Sequence, residues 1–452
     1  MHPPVHYAFL FRISLTAALG GLLFGYDTAV IAGTVEFLQA HFELTDIMLG
    51  WTVSSALLGC ILGSAGAGWL GDKLGRRLTM FICAALFLLS ALWSAFAQSP
   101  GELVIARILG GIGVGAASLL TPVYISEIAP ARYRGALTTL NQIAILVGMV
   151  IVYLVNAQLA GAGDSAWREA VAWRWMFGSE ALPALAFFLL LFTIPESPRW
   201  LALRGKTEAA KAIFNEIGGD EAPEDLVRSI TAAEQQQKVS PAALFRPPYR
   251  IILLTGIVLA VLQQATGINI VMYYAPRIFT SAGVDVVSAV GHSVVIGLTM
   301  LFFTQFAFFL ADRAGRRPLL LISSAGMTIS LLALGFSFGG EATANPTLLL
   351  VWIIIYVASF SIGMGPLVWT VIAEIFPNAI RARAVSICVL LLWTANFLVS
   401  QFFPYLLSTF GPYTFWLYGA FGAIAVVFIS LRVSETKGKT LETITSEEIR
   451  SA

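Results

Sequence analysis

Two stretches, Gly71–Arg77 "GDKLGRR" and Ala311–Arg317 "ADRAGRR", decide the fold. Each is a short basic punctuation between long apolar runs. Two further pairs recur in the same order and at nearly the same offset. "EIAPARYR" (127–134) returns as "EIFPNAIR" (374–381), and "PESPRWL" (195–201) returns as "SETKGKTLE" (434–442). Three paired motifs in one order predict two copies of a single ancestral unit, of the kind related by an axis along a membrane normal.

The composition around the motifs supports a bilayer as solvent. The 452 residues are 58% hydrophobic and 12% charged, against about 25% charged in a typical soluble domain, and the mean hydropathy is +0.81. Apolar windows long enough to span recur at 9–37, 48–70, 78–97, 103–126, 137–159, 172–194, 250–279, 288–311, 318–339, 347–375, 384–407 and 412–432. The first is too long for a signal peptide's apolar core of about 7–15 residues. The expected fold is an all-α membrane protein with 12 transmembrane helices in two six-helix pseudo-symmetric halves. Its parts are an N-terminal half (1–195), a polar linker (196–249), a C-terminal half (250–433) and a tail (434–452). Within the linker, Thr207–Ile217 and Pro223–Lys238 read as short amphipathic helices.

Charge sets the orientation. Of the 27 Lys and Arg, only Arg168, Arg174 and Arg277 fall in the loops of one side, and only Arg107 lies well inside a span. The positive-inside rule then places both termini and the linker in the cytoplasm. A net charge of +1 gives no reason to expect a nucleic-acid partner. Cys60, Cys83 and Cys388 sit in apolar runs, and the four histidines are scattered, so no metal site is expected. No nucleophile–base constellation suggests an enzyme. The glycines of "GCILGSAGAG" (59–68) and "GGIGVG" (110–115) follow no strand. Gly59/Gly63 and Gly111/Gly115 instead read as close helix-packing surfaces.

Polar residues at membrane depth narrow the function. Asp27 lies within "LGGLLFGYDTAVIAG" (19–33), where a charge costs about 2.5–3.5 kcal/mol on insertion scales. Counting along the first and fourth spans puts Asp27 and Arg107 in the same half of the bilayer. They form either a permanent structural pair or a pair opened by a proton. A nearby guanidinium favours an ionised carboxylate, whereas burial favours the acid. A proton moving down 100 mV supplies about 2.3 kcal/mol, enough to sustain roughly a 40-fold solute gradient. The seventh span carries "QQATGIN" (263–269) and then Tyr273, while Asn141 and Gln142 lie in the fifth. Such neutral donors and acceptors suit sugar hydroxyls, or else serve as interhelical hydrogen-bond glue. In "GMGPLVW" (363–369), Pro366 interrupts the helix and Trp369 stacks on a sugar's apolar face or is plain core.

The cytoplasmic motifs pair acids with bases at helix ends: Asp72 with Arg76 and Arg77, Glu127 with Arg134, Asp312 with Arg316 and Arg317, and Glu374 with Arg381. Surface pairs of this kind contribute about 0–1 kcal/mol each. Acting together as a latch between the halves, they bias a two-state equilibrium by a few kcal/mol.

Together with "QQATGIN", these six motifs resemble the sugar porter family of the major facilitator superfamily over nearly the whole chain. The resemblance is to bacterial proton–xylose symporters and, more distantly, to facilitative glucose transporters. It implies proton-coupled symport of a monosaccharide by alternating access, with the proton as coupling ion and no other cofactor. Phe24, Gln142, Gln263, Gln264, Asn269, Tyr273, Trp369 and Trp393 match positions that line the sugar site. Asp stands at position 27 in proton-coupled members, where facilitators usually carry Asn. The charged motifs match a network that holds the cytoplasmic side shut in the outward-facing state. Two positions depart: Met300 replaces an Asn, and Leu392 replaces a Gln or Asn, so the particular sugar is left open. Ser434 replaces the usual proline. A facilitative uniporter with the same pocket is the alternative, with a polyol or inositol symporter behind it; a signalling sensor usually has a longer tail. The expected partners are a small sugar and the lipid bilayer, for a functional monomer. Short loops and the lack of an N-glycosylation sequon favour a bacterial inner membrane.

Overall fold

The computed structural model describes residues 6–130, 132–219, 222–236, 244–247, 249–338 and 345–437. Among these, 12 helices are long and apolar enough to cross a membrane. They are α1 (Tyr7–Phe42), α2 (Asp46–Leu74), α3 (Arg76–Phe96), α4 (Pro100–Ile128), α5 (Arg134–Gly161) and α6 (Ser165–Thr193), then α7 (Tyr249–Ser281), α8 (Val286–Ala311), α9 (Arg316–Phe338), α10 (Pro346–Ile375), α11 (Arg383–Phe410) and α12 (Tyr413–Arg432). Each overlaps one apolar window. Several run past it, α1 as far as Phe42, because a helix continues its backbone ladder beyond the hydrophobic stretch until a cap or turn stops it.

Local chemistry sets several ends. Ser99 caps α4 by accepting from the Glu102 amide at 3.3 Å, and Glu102 reaches back to the Gln98 amide at 2.8 Å, with Pro100 in the first turn. Asp285 caps α8 through the Ser288 amide at 3.0 Å, which holds its carboxyl below the usual value. Two long helices are interrupted. α7 breaks at Gly267 (φ 88°), and α10 breaks at Gly363, where the Ser323 hydroxyl accepts from the Met364 amide at 2.9 Å.

The chain forms two compact units. One comprises residues 1–28, 58–151 and 177–238, and the other 29–57, 152–176 and 239–452. In the first, α2 and α4 touch backbone to backbone. A side chain at Gly59 would strike the Ile108 carbonyl, one at Gly63 the Ile112 carbonyl, and one at Gly115 the Cys60 carbonyl. These glycines serve close packing, as the spacing predicts. The same unit holds the short helices Pro198–Leu203, Thr207–Ile217 and Pro223–Gln236, which close over Leu201, Ala202, Ala210 and Val227. The expected end of the last helix, Lys238, lies outside the described residues.

The repeat is visible in three dimensions, once inside each unit. In the first unit the Glu196 carboxylate accepts from the amides of Arg76 (2.9 Å) and Arg77 (3.1 Å) at the start of α3. In the second, Glu435 accepts from the amides of Arg316 (2.9 Å) and Arg317 (3.1 Å) at the start of α9. A carboxylate at a helix N-terminus satisfies orphan donors and complements the dipole. The glycine before each arginine pair, Gly75 (φ 98°) and Gly315 (φ 93°), takes a backbone that L side chains avoid. A side chain there would strike the same Glu196 or Glu435. The motifs "GRR" and "PES" or "SET" are thus two parts of one joint.

Candidate functional site

Asp27 and Arg107 meet inside the first unit. Arg107 Nη1 lies 2.6 Å from Asp27 Oδ1, Nη2 donates to the Asp27 backbone carbonyl at 3.0 Å, and the two side chains are 2% and 0% exposed. Such a pair is held in a medium that screens little, so breaking it by removing one partner is costly. The Arg107 guanidinium also lies 5.5 Å from the Phe177 ring centroid. A third charge, unanticipated from the sequence, completes the cluster. Glu180 of α6 is 1% exposed and lies within hydrogen-bonding reach of Asp27 and in the field of Arg107. Asp27 Oδ2 and Glu180 Oε1 are each buried without a donor. Ser90 Oγ stands beside Asp27, since a side chain on Gly110 would touch both.

The first unit also holds Phe24 and Gln142, both half-buried, with Asn141 buried beside Gln142. The second unit holds the remaining sugar-site candidates. Across the Gly267 break, Asn269 Nδ2 donates to Gln264 Oε1 at 2.5 Å, and Gln264 Nε2 donates to Gln263 Oε1 at 3.2 Å. Gln263 Nε2 in turn donates to the carbonyls of Met364 (2.6 Å) and Gly365 (3.1 Å), just after the α10 break. The two interrupted helices are therefore joined by a relay of neutral amides. Gln263 does part of the work of interhelical glue, and the relay leaves acceptor and donor capacity at Gln264 and Asn269. Tyr273 and Trp393 are buried, and Trp369 is 40% exposed. Leu392 is buried and Met300 half-buried, so both departures from the family pattern put apolar atoms where amides are expected.

The charged motifs form clusters with pairings different from those expected. In the first unit Arg76 bridges Asp72 (2.7 Å) and Glu127 (3.1 Å), and Glu127 also accepts from the Ser197 hydroxyl at 2.5 Å. Glu127 thus pairs with Arg76 rather than Arg134, which starts α5. Arg77 donates to the Leu191 and Phe192 carbonyls instead of Asp72. In the second unit Glu374 pairs with Arg316 at 3.5 Å rather than with Arg381, whose Nε donates to the Phe376 carbonyl at 3.1 Å. Arg317 donates to the Ser430 carbonyl at 2.5 Å. The Asp312 side chain lies outside the described residues.

At the other end of its helices, the second unit carries a clasp that sequence reading did not single out. Arg277 of α7 lies 3.6 Å from Glu36 of α1 and 3.3 Å from Asp46 at the start of α2. Ser54 donates to Gln401 Oε1 at 2.8 Å, Gln401 Nε2 donates to the Ile47 carbonyl at 3.1 Å, and Tyr153 donates to the Met272 carbonyl at 2.8 Å. Segments of the first repeat are thereby fastened to α7 and α11 of the second.

Comparison with known proteins agrees with this architecture. A family model described as "Sugar (and other) transporter" matches residues 13–447. The chain is 41% identical to the D-xylose-proton symporter of Escherichia coli (strain K12), over 98% of this chain and 96% of the relative. It is 39% identical to the arabinose-proton symporter of Bacillus subtilis (strain 168), over 96% and 94%. The solved inward open conformation of the xylose transporter XylE from E. coli superposes with a TM-score of 0.87 at 39% identity, covering 97% of this chain and all of that one. The fold is the major facilitator fold, and the chain belongs to the sugar (and other) transporter family.

Proposed function

We propose that this multi-pass membrane protein is a proton-coupled monosaccharide symporter working by alternating access. The observation that carries the reading is the cluster of two buried carboxylates, Asp27 and Glu180, around one buried guanidinium, Arg107. With all three groups ionised, the cluster has one uncompensated negative charge in a medium that tolerates none. One proton balances it. The same proton turns two unpaired acceptors, Asp27 Oδ2 and Glu180 Oε1, into a donor and an acceptor. In this reading Asp27 carries the proton, Arg107 stabilises the carboxylate after release, and Glu180 holds the balance of charge during the exchange.

The solute is neutral and rich in hydroxyls. Phe24, Gln142, Gln263, Gln264, Asn269, Tyr273, Trp369 and Trp393 are the groups assigned to it, with aromatic faces for ring C–H surfaces and amides for hydroxyls. The relatives named for xylose and arabinose support a pentose or hexose. Met300 and Leu392 shift recognition toward a sugar that presents fewer hydroxyls to α8 and α11. Orientation follows the positive-inside rule, with both termini cytoplasmic in a bacterial inner membrane. The charged motif residues, Arg134 and Arg381 included, serve as a cytoplasmic latch. The Arg277–Glu36–Asp46 and Ser54–Gln401 contacts close the outer side. The protein acts as a monomer and needs no cofactor besides the proton.

Purified protein in liposomes, given a panel of pentoses, hexoses and polyols with and without an inward proton gradient, tests the proposal. Symport predicts sugar-dependent internal acidification and accumulation above the external concentration. Uptake that merely equilibrates and ignores the gradient would identify a facilitative carrier.

A further inference from the structure

A cavity in the first unit lies beside the charged motif that carries Glu127. It has a volume of about 760 Å³ and lies between the short linker helices and the turn joining α4 to α5. That volume falls in the range of about 300–1,000 Å³ usual for small-molecule sites. Arg132, Arg134 and Arg199 line it together, with Phe214 and Ser229 on the linker side. Among the described residues the only carboxylate in its lining is Glu127, which already accepts from Arg76 and Ser197.

The arginines of this region divide into two groups. Arg76, Arg77 and Arg204 each donate to protein carboxylates or carbonyls. Arg132, Arg134 and Arg199 donate to no acceptor among the described residues, though Arg132 stacks at 5.6 Å on Tyr133. Topology alone asks for positive charge on this side and is indifferent to where it points. It does not account for three forked donors gathered in one concavity with no matching anion among the described residues. Guanidinium groups in that arrangement recognise phosphate bidentately.

We propose that this cavity is a binding site for a phosphate monoester, held by Arg132, Arg134 and Arg199. The occupant is a soluble phosphorylated metabolite or the headgroup of phosphatidic acid; both present a phosphate monoester. The cavity adjoins the start of α1, whose Tyr7 hydroxyl bonds that of Tyr133 at 2.9 Å; the preceding His6 amide donates to the Ile217 carbonyl at 3.0 Å. Occupancy therefore acts on the helix that carries Asp27.

The test uses the full chain carrying Ser229→Cys. The native Cys60, Cys83 and Cys388 are buried, so the introduced thiol is the one that reacts with a polar maleimide. In phosphatidylcholine nanodiscs, glycerol 3-phosphate should slow labelling in a saturable manner, and glycerol should not. Adding Arg132→Gln and Arg199→Gln should weaken protection by about tenfold or more, while sugar binding reports that the protein remains folded. Protection by glycerol 3-phosphate identifies a soluble ligand. Protection seen only when phosphatidic acid is included in the nanodisc, and lost in the double variant, identifies the lipid headgroup. The proposal is overturned if neither source protects, or if protection is the same with and without the two arginines.

Discussion

Substituting the charged cluster one acid at a time separates its structural role from its transport role. Asp27→Asn removes one negative charge, yet Glu180 remains to neutralise the buried Arg107. An amide still accepts from Nη1 where the carboxylate did at 2.6 Å, so the expected cost is that of exchanging a charge-assisted for a neutral hydrogen bond, about 1 kcal/mol. Glu180→Gln leaves the Asp27–Arg107 pair intact and costs about as little. The double substitution strands a guanidinium that is 2% exposed, with an expected cost of about 3–5 kcal/mol. The coupling between the two sites is therefore about 1–3 kcal/mol. It is measured as a double-mutant cycle on reversible unfolding in mixed micelles. Strict additivity would show that the carboxylates do not share Arg107. Transport supplies the second arm. Asp27→Asn should keep sugar counterflow, which needs no net proton movement, and lose accumulation, from roughly 40-fold at 100 mV to unity. A variant that still concentrates sugar would remove Asp27 from the coupling reaction.

Other perturbations test the remaining contacts. Ser54→Ala leaves the buried Gln401 Oε1 without its donor at a cost of about 1–3 kcal/mol, so a cysteine at the buried Met272 should react faster with externally added maleimide; an unchanged rate would show that the clasp does not gate. Arg381→Ala should favour inward-facing conformers, read as accessibility of a cytoplasmic reporter cysteine. Asp72→Asn, whose side chain is 75% exposed, should change stability by less than about 1 kcal/mol, whereas Glu127→Gln, at 7% exposure with two partners, should cost about 1.5–3 kcal/mol. The two repeat joints should respond oppositely to pH. Burial alone would push up the Glu435 carboxyl, but backbone donors from Lys437, Arg316 and Arg317 outweigh it and hold the carboxyl below its ordinary 4.5. Its contribution is complete above 4.5 and is lost as pH falls through the lower folded value. Burial pushes the Glu196 carboxyl above 4.5, so its contribution is present below 4.5 and is lost as pH rises through the folded value. Glu435→Gln should therefore flatten the acid limb of the stability profile, and Glu196→Gln the limb above 4.5, both followed by thermal unfolding across a pH series.

Much of the fold was legible because the bilayer allows few solutions. Apolar length placed all 12 helices, and small residues four apart marked close-packing faces on α2 and α4, which the structure presses against each other. The Asp27–Arg107 pair was legible because two opposite charges at one depth have few other partners. Glu180 was not, since although it sits in "FGSEALP" (177–183) inside the 172–194 window, nothing in the sequence turns it toward Asp27 rather than elsewhere. Only the packing of α6 carries it inward to Asp27. The pairings of Glu127 and Glu374 were also hidden. Spacing along the chain favours Arg134 and Arg381, but the partner is Arg76 or Arg316, delivered by a different helix in both units. Sequence neighbours suggest local pairs, and helix packing decides which base arrives.

The repeat explains why the chain is built as it is, and its departures from symmetry explain why the halves are not interchangeable. Both units keep the glycine–arginine–glutamate joint, because each must anchor a helix start on the carboxylate that follows its sixth span. Among the described residues the buried charges appear in the first repeat alone, on α1, α4 and α6, where α1 and α4 run unbroken through the cluster. An unbroken helix has its backbone groups already paired, so apart from the Asp27 carbonyl, which also accepts from Arg107 Nη2, the buried charges are compensated by side chains. The matching helices of the second repeat, α7 and α10, are interrupted at Gly267 and Gly363. Their loosened backbone is satisfied by Gln263, whose amide reaches two carbonyls, and by Ser323. A titratable group among those free carbonyls would exchange partners with them at each change of protonation. Neutral amides hold the same contacts in either state. Keeping the buried charges on α1, α4 and α6, away from the broken helices, thus leaves the contacts at Gly267 and Gly363 independent of protonation.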